Sequence, residues 1–240
     1  MKNYILVHGA WGGAWEFSKV IELLSADRSK VIAVDLPGHG DNQVPIAEVT
    51  MNAYVQKVSD IINDLGEKVI LVGHSLAGSI ISQVAENIPD KIDRLIYVAA
   101  SLPKSGDTVM SLMQSDKKSE LLPNIILSED QSYATLKNED IANLLLHDVV
   151  DRDYVEKLIP KFSIKQATEP FMASVKLSEK KFGSVTKYYI RATLDKVMSP
   201  SLQDEMINNW KVEQVFTLES GHFPLTSIPD RLVEVIKKAS

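Results

Sequence analysis

Ser75 stands between a run of strand formers, Val69 to Val72, and a helical pattern in which Ile80, Ile81, Val84, Ala85 and Ile88 repeat until Pro89 stops them. Gly73, Ala77 and Gly78 crowd the junction with small side chains. A strand that turns this sharply into a helix lifts the serine hydroxyl above the sheet edge, at a helix N-terminus where backbone N–H groups face outward. The residues two before and two after the serine must be small. Gly73 and Ala77 meet that need, although glycine is the usual form at the second position. A serine so placed is a nucleophile if a base and an acid reach it, and otherwise a helix cap.

The base must come from five histidines: His8, His39, His74, His147 and His222. His222 lies four residues beyond an apolar run ending at Leu218, where the loop after a last strand presents a general base. His8 follows "ILV" directly and His39 sits in "DLPGHG", so both read as shaping turns. His74 adjoins the serine with its side chain directed away, and His147 reads as facing solvent. Asp195, in "YYIRATLDKVMSP", follows another late strand and is the candidate orienting acid. Ala99, Ala100 and Ser101, after an earlier strand, offer no carboxylate before Asp107. The chain order Ser75, Asp195, His222 is the one that accompanies a strand–turn–helix nucleophile. It supports acyl transfer through a covalent intermediate. The oxyanion donors would be the backbone N–H groups of Leu76 and of Ala10, the latter in the glycine-rich "VHGAWGGAW" loop.

Such a set needs a scaffold, and the apolar runs supply one. Tyr4–Val7, Val31–Val34, Val69–Val72, Leu95–Val98, Val185–Ile190 and Val215–Leu218 are uninterrupted, as in strands buried on both faces of a parallel sheet. Helical patterns separate most of them. One is marked by a Thr50 N-cap, a Val55, Val58, Ile62, Leu65 stripe and a Gly66 stop. Strand alternating with helix predicts α/β architecture, a mainly parallel sheet flanked by helices. From about Pro103 to Lys181 the alternation lapses. Polar breaks, a short extended piece at Tyr133–Leu136 and helical patterns at Ile141–Val150 and Tyr154–Ile159 predict a mostly helical insertion without a sheet of its own. Residues 1–240 then form one domain, with a core of 1–102 and 182–240 and a lid over about 103–181. Met110, Met113, Leu146, Phe171, Met172 and Phe182 of or beside the lid, with Trp11 and Phe223, predict an apolar pocket.

Composition narrows the partners. With 26 basic against 32 acidic residues the net charge is −6, which argues against nucleic acid and anionic membrane surfaces. No cysteine is present, so disulfides and thiolate chemistry are excluded. No run of 18 apolar residues exists to span a membrane. The early apolar stretch is too short for a signal peptide, and the cytoplasm is the expected setting.

Six stretches, "VHGAWGGAW", "DLPGHG", "VILVGHSLAG", "KFGSV", "LDKVMSP" and "SGHFPLTSIP", resemble the α/β-hydrolase superfamily. More narrowly they resemble the group of plant methylesterases and hydroxynitrile lyases, with bacterial esterase relatives. The resemblance implies an α/β-hydrolase fold, a Ser75–His222–Asp195 triad, oxyanion donors at Ala10 and Leu76, no cofactor or metal, and often a homodimer. It also implies a fork between hydrolase and lyase. Lyases of one class carry a threonine and a lysine where this chain has Ala10 and Phe223, and the other class has asparagine where Gly9 stands. Dehalogenases and epoxide hydrolases of the fold need aspartate at position 75. Hydrolysis of a small carboxylic ester, methyl or short-chain with an apolar or aromatic acyl group, is therefore the expected activity. The alternatives are a cofactor-free lyase and a ligand-binding receptor.

Overall fold

The computed structural model describes residues 2–26 and 28–240. Six strands form the main sheet: β1 (Asn3–Val7), β2 (Lys30–Val34), β3 (Val69–His74), β4 (Ile92–Val98), β8 (Thr186–Ala192) and β9 (Gln214–Leu218). Their order is β2-β1-β3-β4-β8-β9 and every pairing is parallel. These are the six predicted strands, with ends that differ by up to three residues. β1 and β3 are buried throughout, in keeping with their unbroken apolar runs. β2 and β9 depart from the expectation of burial on both faces. They are the sheet's edges, and most of their residues are partly or fully exposed.

Helices α1 (Ser18–Ser25), α2 (Met51–Leu65) and α3 (Ala77–Asn87) connect the first strands. α2 forms as its sequence predicts. Thr50 Oγ1 accepts from the Ala53 amide at 3.1 Å, and Gly66 ends the helix at φ 69°. Val55, Val58 and Ile62 are buried.

The insertion lies between β4 and β8. It contains helices such as Val109–Ser115 and Arg152–Phe162, but it also has the sheet that the sequence did not predict. β5 (Ile126–Leu127), β6 (Tyr133–Thr135) and β7 (Gln166–Ala167) pair antiparallel. Strands of two and three residues are too short to show a period of two. The expected helix at Ile141–Val150 is instead a five-residue π-helical segment, Ile141–Leu145, followed by a turn.

The insertion is bonded to the core where the site lies. Glu169 Oε2 accepts from the Met51 amide at 2.6 Å, at the N-terminus of α2 where a carboxylate is favoured. Asp148 Oδ2 accepts from the Gly221 amide at 2.6 Å. Among the described residues no helix is long and apolar enough to cross a membrane.

Candidate active site

Four loops leave the sheet at the C-terminal ends of β1, β3, β8 and β9 and meet at one edge, where open parallel sheets bind ligands. The loop after β3 turns most sharply. Ser75 has φ 56°, a strained conformation for a residue with a side chain. Its carbonyl accepts from the Gly78 and Ser101 amides at 3.1 and 3.0 Å, which fixes the turn. A Cβ on Gly73 would lie 2.9 Å from Ile81 Cδ1, and one on Gly78 only 1.9 Å from the Ser101 carbonyl oxygen. The turn tolerates Ala77 because the closest approach falls at the next residue.

Ser75 Oγ lies 2.8 Å from His222 Nε2, and His222 Nδ1 lies 2.7 Å from Asp195 Oδ2. An ionised carboxylate only accepts. Nδ1 therefore carries the imidazole proton, and Nε2 is free to accept from the serine hydroxyl. Asp195 is fixed in turn. Its Oδ1 accepts from the Val197 and Met198 amides at 2.8 and 2.9 Å, and Oδ2 also accepts from Gln203 Nε2 at 3.3 Å. Asp195 and His222 are buried, whereas Ser75 is half-buried and opens on a pocket.

Two further side chains lie behind the imidazole. His74 Nε2 donates to the His222 carbonyl at 2.8 Å, so its ring turns away from the serine as expected. On its other side His74 Nδ1 is 3.7 Å from Glu16 Oε2, with both side chains fully buried. Neither Glu16 oxygen nor His74 Nδ1 has a hydrogen-bond partner within bonding distance. Burial raises the Glu16 carboxyl above its ordinary range, against a smaller opposing pull from His74. Sequence reasoning missed Glu16, because a single glutamate in "AWEFSK" reads as the polar face of a helix.

The loop after β1 packs directly on the nucleophile. A Cβ on Gly9 would come within 2.7 Å of Ser75 Cβ. Ala10 and Leu76 both line the pocket beside Ser75, and neither backbone N–H donates to another group among the described residues. His8 Nδ1 bonds the Gly9 carbonyl at 2.7 Å and its Nε2 accepts from the Leu36 amide at 3.2 Å. His39 Nδ1 bonds the Gly12 carbonyl at 3.0 Å. Both thus shape this loop. His147 does not face solvent freely: it is half-buried, and Nε2 donates to the Leu194 carbonyl at 3.0 Å, one residue before Asp195.

The pocket is apolar and narrow, with a cavity volume of about 40 Å³. Trp11, Phe171 and Phe223 form its aromatic side, and Val109, Leu112 and Met113 come from the insertion. Val197, Met198 and Leu202 close it beside the acid. Among the described residues His222 is the only titratable side chain that lines it. Four predicted lining residues are placed elsewhere. Leu145, not Leu146, reaches the pocket. The Leu146 amide bonds the Ile141 carbonyl five residues back, and this wider turn shifts the register by one position. Phe182 precedes β8, at the sheet edge opposite the site, where it packs at 90° on Trp210 with ring centroids 4.7 Å apart. Met172 is 58% exposed, and Met110 packs against the core outside the pocket. Among the described residues no three carboxylate or imidazole groups cluster as metal ligands.

The sequence matches a family model described as alpha/beta hydrolase family over residues 4–235. The first three curated relatives are named "Putative methylesterase 11, chloroplastic" and its numbered counterparts 15 and 13, all of Arabidopsis thaliana, and the first is 32% identical over 98% of this chain. They are longer proteins, and the chain spans 63%, 56% and 56% of their lengths. Methylesterase 17 of the same plant is 30% identical, with 99% of this chain and 91% of that protein covered. Among solved structures, a pyrethroid hydrolase from Sphingobium faniae JZ-2 superposes with a TM-score of 0.88 at 27% identity, covering 99% of this chain and 96% of that one. The chain belongs to the alpha/beta hydrolase family and, within it, stands with the plant methylesterases.

Proposed function

We propose that this protein hydrolyses small, uncharged carboxylic esters, methyl or short-chain with an apolar or aromatic acyl group, through an acyl-enzyme on Ser75. The observation that carries the reading is the unbroken line Ser75 Oγ, His222 Nε2, His222 Nδ1, Asp195 Oδ2, at 2.8 and 2.7 Å, opening into an apolar pocket. His222 takes the hydroxyl proton as Ser75 attacks the ester carbonyl. Asp195 holds the imidazole tautomer and stabilises the imidazolium. The Ala10 and Leu76 amides bind the oxyanion, each contributing about 3 kcal/mol in the transition state. His222 then protonates the leaving alcohol, and water repeats the sequence on the acyl-enzyme.

A lyase acting on a cyanohydrin needs a cation beside the base to receive cyanide. Here Phe223 fills that place, its ring 5.4 Å from that of His222. The reading includes a cytoplasmic setting, supported by a cysteine-free chain that needs no oxidising compartment, and cell fractionation tests it. The activity is tested by kcat/KM for an aromatic methyl ester, short- and long-chain nitrophenyl esters and mandelonitrile. We expect the first two to lead, and Ser75→Ala to lower their turnover about 10⁴-fold with the fold retained. Highest activity on mandelonitrile overturns the hydrolase reading, and highest activity on the long chain overturns the small-substrate reading.

A further inference from the structure

Trp11 has φ 56°, a conformation that a bulky residue keeps only when its surroundings impose it. Those surroundings come from the insertion. The Trp11 amide donates to Gln166 Oε1 at 3.0 Å, and the indole Nε1–H donates to the Ala134 carbonyl at 3.2 Å. Ala134 and Gln166 are register partners in β6 and β7. The short antiparallel sheet of the insertion thus grips the residue directly after Ala10.

The grip continues inward. Gln166 Nε2 donates to Tyr54 Oη at 3.2 Å and to the Ala167 carbonyl at 3.1 Å. Tyr54 Oη is 2.9 Å from His39 Nε2, and His39 Nδ1 is 3.0 Å from the Gly12 carbonyl. A carbonyl only accepts, so His39 must carry its proton on Nδ1. Burial keeps this imidazole neutral, since desolvation lowers its pKa. Nε2 is then an acceptor and Tyr54 donates to it. Tyr54 Oη in turn accepts from the Gln166 amide nitrogen, which leaves Gln166 Oε1 for Trp11. Every donor points the same way, from the Trp11 N–H through Gln166, Tyr54 and His39 to the Gly12 carbonyl. Both ends of the chain lie on adjacent residues of one loop, so it closes into a ring. Gln166, Tyr54 and His39 are each at most 1% exposed, so water does not compete, and bonds aligned in this way strengthen one another.

We propose that Gln166 is a positioning residue for the oxyanion hole, fixing through this closed ring the loop whose Ala10 N–H meets the developing oxyanion. The proposal rests on the ester-hydrolase reading. It makes the hole dependent on the insertion, because the ring is complete only while β7 is seated on the β1 loop. It also explains why a bulky residue tolerates strain at position 11: the Trp11 N–H is turned into the ring, and the Ala10 N–H is left unpaired.

The test compares wild type with Gln166→Met, which removes the amide at similar volume, and with Tyr54→Phe, which opens the ring without touching the loop. Three quantities are measured: labelling of Ser75 by a fluorophosphonate, kcat and KM for a short-chain nitrophenyl ester, and affinity for a trifluoromethyl ketone, whose serine adduct carries the oxyanion. Losing a donor outright costs about 10²- to 10³-fold in kcat, so a loosened hole should cost at least about tenfold, with a matching loss of ketone affinity and KM changed less than about threefold. The double variant should lose no more than the worse single variant, since both open one ring. If Gln166→Met fails to fold, Tyr54→Phe carries the same readouts. Unchanged kcat and ketone affinity, a loss confined to KM, or additive losses in the double variant each overturn the positioning role while leaving ester hydrolysis intact. A wild type inert to fluorophosphonate overturns the ester-hydrolase reading, and the positioning role with it.

Discussion

Glu16 is the residue whose chemistry is least expected. A carboxylate with both oxygens unbonded, 3.7 Å from an imidazole and sealed from water, is costly to ionise. Burial raises its pKa above the ordinary glutamate value of 4.5. Below that value the group is protonated in both the folded and the unfolded chain and contributes nothing to the pH dependence. As the pH rises, the unfolded chain gives up the proton first, so stability is lost through the folded pKa. Glu16→Gln removes this loss. Its melting temperature relative to wild type should therefore climb as the pH rises above about 4.5, and an offset independent of pH would refute the assignment. His74 makes the pair relevant to the site, since its other nitrogen holds the His222 carbonyl. Asp195 shows the opposite economy. Its two oxygens accept four bonds, so its charge is stabilised where it is needed.

At the scale of elements, the turn between β3 and α3 is the most constrained piece of backbone. A Cβ added at Gly78 would stand 1.9 Å from the Ser101 carbonyl oxygen, and a Cβ has no torsion by which to move while the oxygen is backbone, so no flexible side chain can yield. Gly78→Ala should cost about 2–3 kcal/mol of unfolding free energy by denaturant titration and lower kcat, because relief must come from moving the turn that carries Ser75. Wild-type stability in that variant would show that the turn yields cheaply. The same scale explains what the sequence could disclose. The six strands of the main sheet were legible because each is an apolar run bounded by turn residues. The meeting of Ser75, Asp195 and His222 was legible because each follows a strand in a fixed order, and their convergence on one sheet edge comes from parallel topology. The insertion was not legible in detail. Its strands are two and three residues long, and its π-helical segment breaks the 3.6 period that placed Leu146 in the pocket. Gln166 gave no signal, since its partner Trp11 lies 155 residues away and an isolated glutamine reads as surface. Phe182 was misplaced because hydrophobicity shows that a residue is buried, not at which end of a strand.

At the scale of the molecule, charge and pocket make separate demands on a substrate, and they are separable by experiment. The net charge of −6 repels an anionic ester at a distance. The pocket rejects it at contact, because no cationic side chain among the described residues lines it. The two arginines with the best claim to reach a substrate carboxylate are both engaged. Arg191 holds Asp204 through two bonds of 2.6 and 2.8 Å, and Arg152 reaches the His147 carbonyl at 3.4 Å. Magnitudes decide between the two causes. Long-range repulsion is screened within about 8 Å at physiological ionic strength and within about 3 Å at 1 M salt. An unpaired carboxylate taken into an apolar pocket still costs several kcal/mol after relaxation, and each 1.4 kcal/mol is about tenfold in rate. Monomethyl terephthalate should therefore show kcat/KM at least about 100-fold below methyl benzoate, and the gap should persist when NaCl is raised from about 0.05 to about 1 M. Equal turnover of the two esters would place a cation in the pocket that the structure does not. Recovery of the charged ester at high salt would assign its rejection to the field of the whole protein rather than to the apolar walls formed by Phe171, Phe223 and the insertion.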